Sequence, residues 1–335
     1  MVPGMLPIAG ADHPILTLLR RELDEVSIIF ERQLASDLSA VNTLCLHIER
    51  YRGKMLRPLL VMASGMASVG DDGSGASLTP SHRALAAVVE MIHMATLVHD
   101  DVLDDADTRR RGETVNARWG NETAVMLGDY LISNAFHLCS SIGRPDLNLA
   151  LGEVTNTLCE GELVQLHHRD NYSLDVGTYL EIVQRKTASL IAASCRLGAV
   201  IAGAPDAVAD ALASFGGALG VAFQIQDDVL DLVGDPSVVG KSLGKDLEKG
   251  KLTLPLILAL DDSDPGTRTA LLQAIEAHDA VAVATHLESC DAVARAQNYA
   301  HSLVHDARQN LPSVPAGPVR DVLDLMADAV VSRSS

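Results

Sequence analysis

The sequence predicts an all-α fold, and three observations carry that reading. The chain is 47% apolar but only 3% aromatic, so Leu, Ala, Val and Ile must fill its core. That mix suits helices better than sheets. These residues recur at three- and four-residue spacing, the helical period, and period-2 alternation is hard to find. Breaks marked by Gly, Pro and Ser fall near 70–81, 141–146, 203–206, 234–250, 261–266 and 311–317. The segments between them give about ten or more helices. The pattern keeps one character from end to end, so a single domain over 1–335 is expected.

A chain of 335 residues can bury a sizeable core. Its formal charge of −18 argues against nucleic acid, which needs Lys/Arg stripes, and against anionic lipid head groups. Cys45, Cys139, Cys159, Cys195 and Cys290 are scattered and odd in number, with no Cys-x-x-Cys spacing. They read as reduced thiols of a cytoplasmic protein rather than a disulfide frame or zinc site. Residues 1–13 lack the basic cluster and apolar run of a signal peptide. No stretch of about 18–20 apolar residues runs without a charge, so no transmembrane segment is expected.

The helix expected over Leu85–Leu103 ends in Asp100, Asp101, Asp104, Asp105 and Asp107. Residues i and i+4 share a helical face, which pairs Asp100 with Asp104 and Asp101 with Asp105. Carboxylates ~5.5 Å apart repel by about 3 kcal/mol at an effective dielectric of 20. A helix C-terminus adds its own negative end. The cluster therefore needs cations, and hard oxygen ligands with room for water and phosphate suit Mg²⁺. The same pentapeptide, Asp-Asp-Val-Leu-Asp, returns at Asp227–Asp231, at the end of a second apolar helix expected over Leu212–Leu232. A repeat this short, in otherwise unrelated helices, points to a shared job. Two carboxylate pads, Asp100/Asp101/Asp104 and Asp227/Asp228/Asp231, could each hold Mg²⁺ and clamp a diphosphate. A lone acidic helix end would read as a solvated terminus.

Three basic clusters accompany the pads in this acidic chain: Arg109, Arg110 and Arg111; Lys241, Lys245, Lys249 and Lys251; and Lys54 with Arg57. Arg suits bidentate phosphate contact and Lys acts as a point charge. Arg111, Lys245 and Lys249 read better as neutralising neighbouring aspartates. On residue type alone the stretch 234–250 is a surface loop, and His93 is a core histidine on an apolar helix.

Five motifs stand in an order that resembles the trans-prenyltransferase (polyprenyl diphosphate synthase) family over roughly residues 14–330. They are Gly53-Lys54-x-x-Arg57-Pro58; Asp100-Asp101-x-x-Asp104 with Arg109-Arg110; Lys186-Thr187; Phe223-Gln224-x-x-Asp227-Asp228-x-x-Asp231; and Gly240-Lys241 before Gly244-Lys245-Asp246. Any one is weak; five in order are specific. The resemblance implies helices packed around a deep central cavity, a homodimer, and condensation of isopentenyl diphosphate with an allylic diphosphate. It implies Mg²⁺ held by Asp100, Asp104 and Asp227. It assigns Arg109, Lys186 and Lys241 to the allylic diphosphate, and Lys54, Arg57, His93 and Arg110 to isopentenyl diphosphate. Thr187 and Gln224 would turn their oxygens toward the cation. His93 gains its role from standing seven residues before Asp100.

One segment departs from the family. Short-chain members often carry an Asp where Gly161-Glu162-Leu163-Val164-Gln165 offers Gln165. Product length is also readable. Thr96 lies one turn before Asp100, about 6 Å deeper, and Ala95 flanks it. Short-chain members carry a bulky aromatic at one of these positions. Both residues are small here, with Phe136 resembling a deeper floor, so a tail of roughly thirty carbons or more is expected. The alternatives are a shorter-chain synthase, a class I terpene cyclase, or a silent partner subunit. Cyclases lack the Gly-Lys-x-x-Arg-Pro element, and silent subunits lose an acidic motif; this chain keeps all three.

Overall fold

The computed structural model describes residues 14–110, 112–234 and 244–332. These are almost wholly helical. In order they form α1 (Pro14–Leu34), α2 (Ser39–Ile48), a 3₁₀ turn at Glu49–Tyr51, α3 (Leu56–Ser68) and α4 (Pro80–Leu103). A two-stranded hairpin follows, β1 (Thr108–Arg109) against β2 (Gly112–Glu113), antiparallel with Thr108 opposite Glu113. Then come α5 (Val115–Trp119), α6 (Asn121–Ser141), α7 (Pro145–His167), α8 (Val176–Val183), a π-helical turn at Gln184–Ala188, α9 (Ser189–Ala202) and α10 (Asp206–Val233). The remainder is α11 (Lys245–Glu248), α12 (Leu254–Asp262), α13 (Pro265–Glu276), α14 (Ala280–Glu288), α15 (Ala292–Asn310), a 3₁₀ turn at Leu311–Ser313 and α16 (Pro318–Val331).

The chain folds into two compact units that interleave in sequence. Of the described residues, the first takes those within 14–155, 190–216 and 310–329, and the second those within 156–189, 217–309 and 330–332. No contiguous stretch corresponds to either, so a composition scan along the chain finds no boundary.

In the first unit, α3 is the central helix. Every residue from Leu56 to Ser68 is buried except Arg57. A helix apolar all round belongs in a core, and each fully buried Leu or Met contributes about 1.5–3 kcal/mol. Helix α4 packs on α3, on α1 and, most extensively, on α6. Its start is fixed by a capping box. Thr79 and His82 bond reciprocally, and Pro80 occupies the first turn, where its missing N–H leaves no bond unmade. The far ring nitrogen of His82 reaches the Gly198 carbonyl of α9 at 3.1 Å.

The second unit is built on α8, α10 from Gly217 onward and α12–α15, with Tyr179, Ile182, Ile225, Val229, Leu256, Ile257, Leu260, Ile275 and Leu287 in its core. Helix α10 is the one described helix long and apolar enough to cross a membrane; 56% of that window is buried. It ends in three aspartates, and its apolar length is that of a core helix. Asp210 and Asp227 bound its uncharged run, which falls short of the roughly 18–20 apolar residues of a spanning segment.

Candidate active site

The first acidic motif lies where expected, in the last turn of α4. Asp100 and Asp104 are half-exposed, while Asp101 is buried. Arg109 places Nε and Nη2 each 2.8 Å from Asp101 Oδ1. Burial pushes the Asp101 carboxyl up, and the Arg109 charge pulls it back. The Tyr51 hydroxyl also faces this carboxylate and acts on it in the same direction as Arg109. Asp105 turns the chain with φ +46°, and the hairpin returns with Arg109 in β1 and Arg110 at φ +48°. Left-handed backbone at non-glycine residues stores strain, and such residues collect at functional sites. Met55, between Lys54 and Arg57, is a third, at φ +50°.

Tyr51 ties these parts together. Its carbonyl accepts from Arg110 Nη1 at 2.5 Å, and its hydroxyl accepts from the Val115 N–H at 3.1 Å. Its buried ring stands 5.9 Å from the Arg109 guanidinium. A Cβ on Gly53 would collide with the Arg110 guanidinium, so glycine is what lets that cation reach across. Nothing in the sequence marks Tyr51, because its contacts come from residues about sixty positions away.

Arg57, Arg109 and Arg110 gather around His93. Burial and then their charges hold its imidazole well below the ordinary histidine range, so it is neutral. One turn earlier on α4 lies Glu90, which is buried. Burial pushes its carboxyl up, while Arg57, Arg110 and Arg52 oppose the shift. Arg57 Nε is buried with no hydrogen-bond partner among the described residues. Lys54 is half-buried at the turn before α3. Ala95 is fully buried on α4, Thr96 donates to the His93 carbonyl at 2.7 Å, and Phe136 is half-buried on α6. The His99 ring packs away from this cluster: its Nε2 lies 3.2 Å from the Val125 carbonyl and the ring fits against Gly128.

In the second unit, Lys186 and Thr187 sit in the π turn, a feature common at functional sites. Lys186 forms an ion pair with Glu162 of α7, and Gln165 Nε2 donates to Glu162 at 3.3 Å. The charge that Gln165 cannot supply thus stands one turn away. A Cβ on Gly161 would lie 2.7 Å from the Lys186 backbone nitrogen and 2.8 Å from Arg185 Cβ, so glycine admits the turn. Thr187 donates to Gln224 Oε1 at 3.0 Å, and Gln224 Nε2 donates to Asp228 at 2.8 Å.

The second acidic motif divides by role. Asp228 is buried and also accepts from the Tyr179 hydroxyl at 2.6 Å. Burial and the Asp246 charge push its carboxyl well up. Asp231 accepts from the backbone N–H groups of Lys245 and Asp246 at 3.3 and 3.0 Å. Asp227 is half-exposed. Lys241, Gly240 and Arg111 lie outside the described residues, as does most of 234–250. Glu90, Glu162 and Tyr179 were missed in the sequence because a carboxylate or phenol on a helix carries no motif of its own.

A resident metal must fit these donors. Half-exposed Asp100, Asp104 and Asp227 are hard oxygen donors, the kind of which Mg²⁺ takes one or two alongside water and substrate phosphate.

The fold and its parts define a class: an all-α protein with acidic helix ends backed by fixed Arg and Lys charges. The chain belongs to the polyprenyl synthetase family, whose profile matches residues 39–291. It is 34% identical to nonaprenyl diphosphate synthase of Mycobacterium tuberculosis over 97% of both chains. It is 33% identical to heptaprenyl diphosphate synthase component 2 of Geobacillus stearothermophilus over 92% of this chain and 94% of that one. A solved polyprenyl synthase from Caulobacter crescentus, complexed with calcium and isoprenyl diphosphate, aligns with TM-score 0.89 at 32% identity, covering 96% of this chain and 98% of that one.

Proposed function

We propose that the protein condenses isopentenyl diphosphate with an allylic diphosphate to give a trans-polyprenyl diphosphate of medium or long chain. The observation that carries this reading is Arg57. It is the sole residue of α3 that is not buried, and it shares the neighbourhood of neutral His93 with Arg110 and Arg109. Fixed cations and a neutral donor in a partly dry setting fit a diphosphate.

In the reaction the allylic C–O bond breaks and the electron pair leaves with diphosphate. The isopentenyl double bond attacks the allylic carbon, and a proton leaves the adduct to the departing diphosphate. Lys54, Arg57, His93 and Arg110 bind isopentenyl diphosphate. Arg109, Lys186 and Lys241 bind the allylic diphosphate. The Thr187 and Gln224 oxygens face the allylic cation. Asp100, Asp104 and Asp227 would hold Mg²⁺, as the resemblance to the family implies, and the ion would supply neutralisation of leaving-group charge. Asp101, Asp228 and Asp231 serve instead to hold Arg109, Gln224 and the start of α11, a narrower ligand set than the six carboxylates expected.

A medium or long product follows from buried Ala95, too small to stop the tail, and agrees with the heptaprenyl and nonaprenyl relatives. A homodimer is supported by exposed Leu38, Leu46, Val125 and Met126 near α2 and α6. The free thiols, Cys45 to Cys290, support a reducing, cytoplasmic setting. The test is incubation with Mg²⁺, isopentenyl diphosphate and farnesyl diphosphate, with products sized by mass spectrometry. A ladder ending at roughly thirty carbons or more is expected. A shorter end point overturns the chain-length reading, and no condensation with any starter overturns the reaction.

A further inference from the structure

Four side chains of the second unit form one hydrogen-bonded line. Tyr179 Oη donates to Asp228 Oδ2 at 2.6 Å, and Gln224 Nε2 donates to Asp228 Oδ1 at 2.8 Å. Thr187 Oγ1 donates to Gln224 Oε1 at 3.0 Å. Tyr179, on α8, and Asp228 are each 4% exposed; Gln224 lies one turn before Asp228 on α10.

The direction of this line follows from what each group can do. Both Asp228 oxygens are acceptors in these two bonds: Oδ2 takes the Tyr179 O–H and Oδ1 takes the Gln224 N–H. The amide must then turn its NH₂ toward Asp228 and its oxygen toward Thr187. An amide oxygen accepts and never donates, so the single Thr187 proton is committed to Gln224. The lone pairs of Thr187 Oγ1 are left for whatever lies on its other side, and no O–H points there. A developing carbocation is stabilised by the negative end of that dipole and opposed by the positive end. Were the line reversed, with Gln224 donating to Thr187, the hydroxyl would present its proton instead.

We propose that Tyr179 is a positioning residue for the condensation. By donating to Asp228 it fixes the direction of the line, so that Thr187 turns lone pairs, and no proton, toward the allylic cation. Tyr179 acts through Asp228 and Gln224. This inference rests on the functional reading above, which places Thr187 at the cation.

The experiment is a double-mutant cycle on the full-length enzyme with both diphosphates and Mg²⁺, reading kcat, each KM and the thermal midpoint. Tyr179→Phe removes one hydroxyl and should lower kcat about tenfold, with each KM within about twofold. Thr187→Val should lower kcat at least as far, while Thr187→Ser keeps most activity. The deciding result is the double variant. If Tyr179 acts through the Thr187 hydroxyl, Tyr179→Phe causes no further loss in the Thr187→Val background. A full additional loss there, or an unchanged kcat in Tyr179→Phe alone, overturns the proposal. Should Tyr179→Phe fail to fold, Tyr179→His, which can still donate to Asp228, takes its place in the cycle: a kcat near wild type supports the line, and a loss that adds to that of Thr187→Val sinks it. Wild-type enzyme that condenses nothing would count against the functional reading, a result separate from any outcome of the cycle.

Discussion

Arg109 directs two nitrogens at a single oxygen of Asp101, each at 2.8 Å. The middle carboxylate of the first acidic motif is therefore bound to the cation it positions. Asp101→Asn keeps the shape and loses the charge. It should lower kcat/KM for the allylic substrate by about ten- to a hundredfold, the range for a hydrogen bond to a charged group. Added Mg²⁺ should not restore it. Asp100→Asn should lose more and recover in part as Mg²⁺ is raised. Steady-state kinetics across a Mg²⁺ series separates the roles, and recovery of Asp101→Asn by Mg²⁺ would make Asp101 a ligand after all.

The close approach of Gly161 to the π turn gives a second expectation. In Gly161→Ala the new methyl meets backbone at Lys186, which cannot step aside as a flexible side chain would. The substitution should destabilise the fold by about 1–3 kcal/mol. It should also lower activity beyond the loss of folded protein, because Lys186 and Thr187 move with the turn. Urea midpoints alongside kcat test this; a variant as stable and as active as wild type would contradict the packing.

Product length should respond to Ala95. Its side chain is fully buried on α4, the helix most closely packed on α6. Ala95→Phe should shorten the product sharply, read by mass spectrometry as a ladder that stops early. An unchanged ladder would place the gate elsewhere.

The neutral state of His93 gives a pH expectation with a definite sign. In the unfolded chain this imidazole takes up a proton near pH 6.5. In the folded chain, burial and the charges of Arg57, Arg110 and Arg109 oppose that proton. As pH falls through about 6.5 the unfolded state binds more protons, so stability drops. Between pH 7.5 and 5.5 the wild type should lose about 1 kcal/mol more than His93→Gln does. Glu90, raised by burial, contributes with the opposite sign in both proteins. Equal losses would mean His93 is charged in the folded state.

Much of this protein is local in origin. Three- and four-residue spacing located the C-terminal ends of α4 and α10 to within a residue but placed their starts at Leu85 and Leu212, inside helices that begin at Pro80 and Asp206, and Gly-, Pro- and Ser-rich breaks marked the loops before α4, α7 and α10. The hairpin at Thr108–Glu113 escaped notice because two-residue strands are too short for a period. The 3₁₀ turn before Lys54 and the π turn at Lys186 escaped because each changes hydrogen-bond spacing without changing composition.

The sequence by itself determined the helices, the two acidic ends, the basic residues near turns and, through their order, the family. These are properties of neighbours along the chain, and periodicity and spacing record them. Only the tertiary structure decided what each carboxylate does. It gave Asp101 to Arg109, Asp228 to Tyr179 and Gln224, and Glu162 to Lys186. It also set His93 neutral among arginines drawn from α3 and the hairpin. Within one helix the aspartates of a motif look alike. Burial and the partner each one meets, as many as 49 positions away for Asp228 and Tyr179, make them different.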